Sequence, residues 1–158
     1  MTPTQFQHRI LLPATDAFPY QDNPQSRALL FAIAGQESGW AHRLQEGGPA
    51  RGFWQFELGG VNGVFENPRA ASTLLQFCQD WAIEFTAEAI YEAIAFCDPL
   101  AYTCARLALW LDPAPLPAVG AAAAAWSYYV RVWRPGHPRP TDWAANYALA
   151  LNPPAFEA

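Results

Sequence analysis

Three Asn-Pro or Asp-Pro pairs in this chain stand directly before apolar stretches: Asn23-Pro24, Asn67-Pro68 and Asp98-Pro99. Such a pair writes a helix start. The Asn or Asp side chain accepts from the first unpaired N–H groups. Pro brings a preset φ to a position where a missing N–H costs nothing. Thr86 and Thr141 are further caps without Pro. Apolar residues follow these starts at helical spacing. Leu29, Leu30, Ile33 and Ala34 follow the first, and Leu74, Leu75, Phe77, Cys78 and Trp81 the second. Ala89, Ile90, Ala93, Ile94 and Cys97 follow Thr86, and Tyr102, Ala105, Leu109 and Leu111 follow Pro99. Pro113, Pro115 and Pro117 must stop that helix, since each lacks an N–H and restricts the residue before it. The alanine-rich stretch 118–133 reads as another helix, 134–140 as a loop, and 141–151 as a last helix ended by Pro153-Pro154. The expected fold class is therefore mainly α. At 158 residues, one domain spanning 1–158 is expected. Its core should draw on Leu30, Ile33, Leu74, Phe77, Ile90, Ile94, Leu107 and Trp126.

One stretch departs from the helical pattern. Residues 45–63 hold six of the ten glycines: Gly47, Gly48, Gly52, Gly59, Gly60 and Gly63. It reads as an irregular loop or short hairpin inserted among helices, a frequent home for function. It carries Phe53, Trp54, Gln55, Phe56 and Glu57. Read as an extended segment, alternation sets Trp54 and Phe56 on one side and Phe53, Gln55 and Glu57 on the other. Aromatic faces stack on sugar rings, and an amide bonds hydroxyl and acetamido groups.

Charge narrows the function classes. The net charge is −5, hydrophobic residues are 52% and charged residues 15%, which excludes a disordered chain. All nine cations are Arg and none is Lys, too few for a general nucleic-acid binder. The longest apolar stretch, 117–130, is shorter than the ~20 residues of a membrane span, so no stable membrane insertion is expected. Cys78, Cys97 and Cys104 form no CxxC pair and have no His cluster beside them, so neither a zinc site nor another metal site is expected. Buried, reduced thiols fit a chain made in a reducing cytoplasm. Residues 1–9 show no basic segment leading into an apolar one, so no Sec signal is expected.

Glu37 stands out. It lies four residues after Ile33 and seven after Leu30, which puts all three on one helical face. Partial burial there favours the protonated carboxyl at neutral pH, as a general acid for a glycosidic oxygen requires. Gly39 then ends the helix next to the glycine-rich segment, where a cleft can open. The bland alternative is a Glu that faces solvent or pairs with Arg43.

Gln36-Glu37-Ser38-Gly39-Trp40 followed by Gly52-Phe53-Trp54-Gln55 resembles the Glu-Ser and Gly-x-Met-Gln motifs of lysozyme-like lytic transglycosylases. Residues 47–57 and 130–140 are similar to stretches of phage peptidoglycan-degrading virion or lysis proteins, and the similar motifs together span about 25–143. The resemblance implies a lysozyme-like fold and no cofactor. It implies Glu37 as the single acid/base, Ser38 as the polar residue beside it and Gln55 as a cleft amide. Trp54 stands where the family has Met. The third motif, an Ala-Tyr-Asn-type segment, has no close copy; Trp126-Ser127-Tyr128-Tyr129 lies in its place, and either Tyr128 or Tyr129 supplies a hydroxyl to orient Glu37. The implied partners are peptidoglycan glycan strands, with other virion proteins as candidates. The implied place of action is the cell wall, reached by a holin, a virion or a secretion system. Glu57 and Glu46 are candidates for the second carboxylate of a hydrolase. A non-catalytic sugar-binding or structural virion protein is the rival from another class. Because the chain and the wall are both acidic, binding should rest on cleft contacts. The basic run Arg131, Arg134, His137, Arg139 reads as arginines stacked on Trp133 and paired locally, or as contacts to wall carboxylates or lipid phosphates.

Overall fold

The computed structural model describes residues 1–21 and 23–152, and among these it is helical with no strand. The first helical rod was not foreseen. α1 (Pro3–Phe6), a π-helical segment (Gln7–Leu11) and α2 (Leu12–Ala17) run on without a break. The signal lay in Thr2-Pro3-Thr4-Gln5. Thr2 Oγ1 accepts from Gln5 N at 3.1 Å and the Gln5 side chain accepts from Thr2 N at 3.0 Å, a complete capping box. The π turn answers Pro13, which has no N–H to give the carbonyl four residues back. The wider turn lets Leu12 N–H reach Gln7 O instead.

The other helices are α3 (Pro24–Ser38), α4 (Leu58–Phe65), α5 (Pro68–Asp80), α6 (Ala87–Ala93), α7 (Asp98–Leu111), α8 (Ala122–Trp133) and α9 (Pro140–Leu151). Asn23, Asn67 and Thr86 cap as expected: Asn23 Oδ1 accepts from Gln25 N and Ser26 N, Asn67 Oδ1 from Arg69 N, and Thr86 Oγ1 from Ala89 N. Asp98 and Thr141 do not cap. Asp98 is already inside α7, and its carboxylate takes both Arg43 Nε and Nη2 at 2.8 and 2.7 Å. A bidentate ion pair outweighs a neutral cap. Thr141 lies within α9, which opens at Pro140. α7 ends at Leu111 before the proline run, and α8 begins at Ala122, later than 118. The expected end of α9 at Pro153-Pro154 lies outside the described residues.

α3 is the central post. Eleven of its fifteen residues are buried, so it is apolar nearly all round, and it packs on α7, α8 and α9. Seven of the eight expected core residues are buried; Trp126 is half-buried against that core. The glycine-rich segment divides in two. Gly59, Gly60 and Gly63 belong to α4, not to a loop, because Val61 and Val64 give that stretch a buried stripe. Residues 45–56 are turns held by the isolated bridges Leu44–Arg51 and Arg51–Phe56. Arg51 and Phe56 exchange both backbone bonds at 2.9 Å around a tight turn in which Gln55 is left-handed at φ 51°.

That turn overturns the alternation reading. Side chains alternate across an extended strand, not across a tight turn. Phe53 and Trp54 both point inward and are completely buried. Trp54 Nε1 donates to Leu30 O at 2.9 Å, and its ring meets Phe6 and Tyr102 edge-on at 6.0 and 5.8 Å. Phe53 packs on Phe6 at 5.0 Å beneath the Arg43 guanidinium. Neither ring presents a face to a sugar.

α3 ends in two consecutive left-handed residues, Gly39 at φ 59° and Trp40 at φ 55°. They fold Trp40 back along its own helix, where Nε1 donates to Phe31 O at 2.9 Å. A Cβ on Gly35 would sit 2.2 Å from Trp40 Cζ2. In an open helix Gly→Ala stabilises by roughly 1 kcal/mol. Here Gly35→Ala is expected to destabilise by about 1–3 kcal/mol, as an overpacked core does, read as a lower urea midpoint at unchanged m.

Candidate active site

The C-terminal end of α3 delivers Glu37 to a surface cleft. Helical geometry puts it one turn beyond Ile33, where the core face of α3 runs out into the open. Two hollows meet at this carboxyl. The larger, about 690 Å³, is lined by Gln55, Phe56 and Glu57 from the 51–57 segment and by Tyr129, Trp133 and residues 134–137 and 139 from the end of α8 and the segment after it. The smaller, about 390 Å³, is bounded by Ser38, His42, Gln45 and Glu46 among others. Glu37, Gln45, Gln55 and Arg139 line both, so the hollows form one groove across the end of α3.

Tyr129 on α8 donates its hydroxyl to Glu37 Oε1 at 2.6 Å. Its ring lies flat against Trp143 of α9, 5.0 Å away at 9°, and Trp143 is fixed by Nε1 donating to Ala122 O at 3.0 Å. Tyr147 continues the stack at 5.9 Å. Tyr128, its neighbour, faces the other way: its hydroxyl donates to Leu109 O at 2.9 Å, and burial pushes it up to about 12. Adjacent helical residues point about 100° apart, so only one could meet Glu37, and it is Tyr129.

Arg139 completes the setting. Its Nη2 donates to Gln36 O, its Nε pairs with Asp142 at 3.0 Å, and its charge reaches Glu37. Gln36 is the buried clamp between α3 and this segment. It donates to Arg139 O at 3.0 Å and accepts from Asn146 Nδ2 at 3.2 Å. Burial holds the Glu37 carboxyl above its ordinary range; the Tyr129 hydroxyl and the Arg139 charge pull it part of the way back. The pairing of Glu37 with Arg43 does not occur, since Arg43 is engaged by Asp98.

The remaining expected site residues are distributed unevenly. Gln55 lines the groove and donates Nε2 to Gly52 O at 2.8 Å. Ser38 borders the smaller hollow, but its hydroxyl is turned back to Ala34 O at 2.9 Å. Glu57 is exposed, lines the larger hollow and makes no capping bond at the start of α4. Phe53, Trp54 and Tyr128 are outside the groove. Trp54 still serves it indirectly, because its carbonyl accepts from Trp133 Nε1 at 3.0 Å and so sets one wall. Arg131 is taken by Asp112 at 2.7 Å, and its guanidinium lies over Tyr128 rather than Trp133. Sequence reasoning missed the Trp143 stack and the role of Arg139 beside Glu37. Among the described residues no group of His, Cys, Asp or Glu is arranged to hold a metal ion. No helix among them is long and apolar enough to cross a membrane.

The raised Glu37 carboxyl carries a stability cost with a defined sign. Between its unfolded and folded values the native state holds the extra proton, so stability falls as pH rises through that window. Glu37→Gln keeps an acceptor for Tyr129 and removes the charge. Its Tm should exceed the parent's near about pH 7.5 and converge on it near about pH 4, below the ordinary carboxylate value. A constant difference across that range would contradict the burial of this carboxyl. Comparison of the chain with protein-family models, with curated proteins and with solved structures finds no match.

Proposed function

We propose that this chain degrades peptidoglycan, cleaving between N-acetylmuramic acid and N-acetylglucosamine as a lytic transglycosylase with Glu37 as general acid and then general base. One observation carries the reading. A carboxyl biased toward its protonated form, oriented by a tyrosine hydroxyl, stands where two hollows of a continuous groove meet. The substrate it suits is an extended chain whose scissile bond crosses that junction. The proposed chemistry uses this geometry. Tyr129 occupies Oε1 as a donor, which leaves the proton to Oε2. Glu37 gives that proton to the glycosidic oxygen, and the bond to the anomeric carbon breaks. The carboxylate so formed is stabilised by Tyr129 and the nearby Arg139 charge. It then takes the proton of the sugar's own 6-hydroxyl, whose oxygen closes on the anomeric carbon and leaves a 1,6-anhydro end. The resemblance of residues 36–40 and 52–55 to lysozyme-like transglycosylases supports the same assignment.

Glu37→Gln should lower cleavage of purified peptidoglycan by about 10²–10⁴-fold or more, the share a general acid supplies. Turbidity clearing at parental rate by the folded variant would end the proposal and favour a non-catalytic sugar-binding or structural role. Mass spectrometry of the released fragments should find anhydro ends, one water lighter than hydrolytic ends.

Glu57 favours a second reading, muramidase-type hydrolysis, because it lines the same hollow and is free of its own helix start. In the single-carboxylate mechanism Glu57→Gln changes kcat less than about threefold. A loss of ~10²-fold or more with hydrolytic products would move the assignment to the two-carboxylate mechanism.

A further inference from the structure

The chain uses its arginines sparingly and mostly in pairs. Arg43 is engaged by Asp98, Arg51 by Glu92 and Arg131 by Asp112. Arg69 and Arg106 lie over the rings of Trp110 and Phe18. Arg134 differs. It is exposed, lines the larger hollow and has no ion-pair or hydrogen-bond partner for its side chain among the described residues. Its backbone is fixed all the same, because it closes α8 in the left-handed conformation at φ 50° with its N–H bonded to Val130 O at 3.1 Å. His137 and Arg139 follow on the same edge of the groove. Arg139 is half exposed, and its partners hold Nε and Nη2, leaving Nη1 unbonded to the described residues.

The charge of the groove is therefore divided. Arg134, His137 and Arg139 line the larger hollow from the segment that follows α8; Glu57 lines the same hollow from the start of α4, and Glu46 borders the smaller one. In a chain of net charge −5, a strip that holds one guanidinium without an ion-pair partner among the described residues, and the free edge of a second, concentrates positive charge beside the proposed scissile position. Guanidinium groups recognise carboxylates by charge-assisted, often bidentate bonds. A neutral polysaccharide offers such a rim only neutral acceptors, whereas the peptide stems of a wall glycan carry carboxylates.

We infer that Arg134, His137 and Arg139 form a carboxylate-binding rim, and that the groove prefers a glycan whose peptide-stem carboxylates face that rim over the same sugars without charge. The inference rests on the proposed function and names its substrate class. The test is binding, separate from turnover. Glu37→Gln protein is sedimented with insoluble peptidoglycan, native or with its carboxylates converted to amides by carbodiimide coupling. Native wall should bind about tenfold or more tightly than amidated wall. Adding Arg134→Gln should erase most of that difference by weakening binding to native wall alone. Equal binding to both walls, or an equal loss on both from Arg134→Gln, overturns the rim and leaves the proposed function standing. Failure to sediment with either wall overturns both.

Discussion

A single hydrogen bond organises the molecule: the Trp54 indole N–H donating to the Leu30 carbonyl. A carbonyl in mid-helix already accepts from its own ladder, so this second donor must come from a ring driven deep against α3. It ties the 51–56 turn to the central helix one turn short of Ile33 and two short of Glu37. The same residue's carbonyl takes Trp133, so the turn also holds the end of α8. Trp54 thus sets the width of the groove from beneath without lining it. Loss of a fully buried indole costs about 3–5 kcal/mol in a typical core, and here it would release both walls together.

What the sequence made legible was local. Asn23, Asn67 and Thr86 cap because cap and helix are adjacent in the chain and nothing else competes for those side chains. Asp98 carries the same local signal and fails it, because Arg43, fifty-five residues away, offers a stronger bond. Gly59, Gly60 and Gly63 look like a loop by composition, yet two buried valines are enough to wind them into α4. Thr2-Pro3-Thr4-Gln5 was a readable capping box, and it opens a helix that a search for Asn and Asp passes over.

The site divides along the same line. Glu37 could be placed by helical spacing, since Leu30 and Ile33 fix its face within one element. The choice between Tyr128 and Tyr129 turns on how α8 is rotated against α9, which no spacing within α8 encodes; the Trp143 stack settles it. Arg139 reaches Glu37 because Gln36 and Asp142 anchor it from two helices at once. Trp54 was misplaced because aromatic residues in a glycine-rich segment serve equally to cover a core and to meet a ligand, and only the tight turn at 52–55 decides between them.

The position of Glu37 at the end of α3 has one more consequence. Fifteen residues of aligned peptide dipoles leave about half a negative charge at that terminus. An acidic side chain is the wrong choice there for helix stability: its anion faces a field of its own sign, and a Lys or Arg would suit the spot far better. For the proposed general acid, the macrodipole works in the opposite sense, adding to burial as a force against ionisation. The helix that supplies most of the core is, through its polarity, also an electrostatic component of the groove.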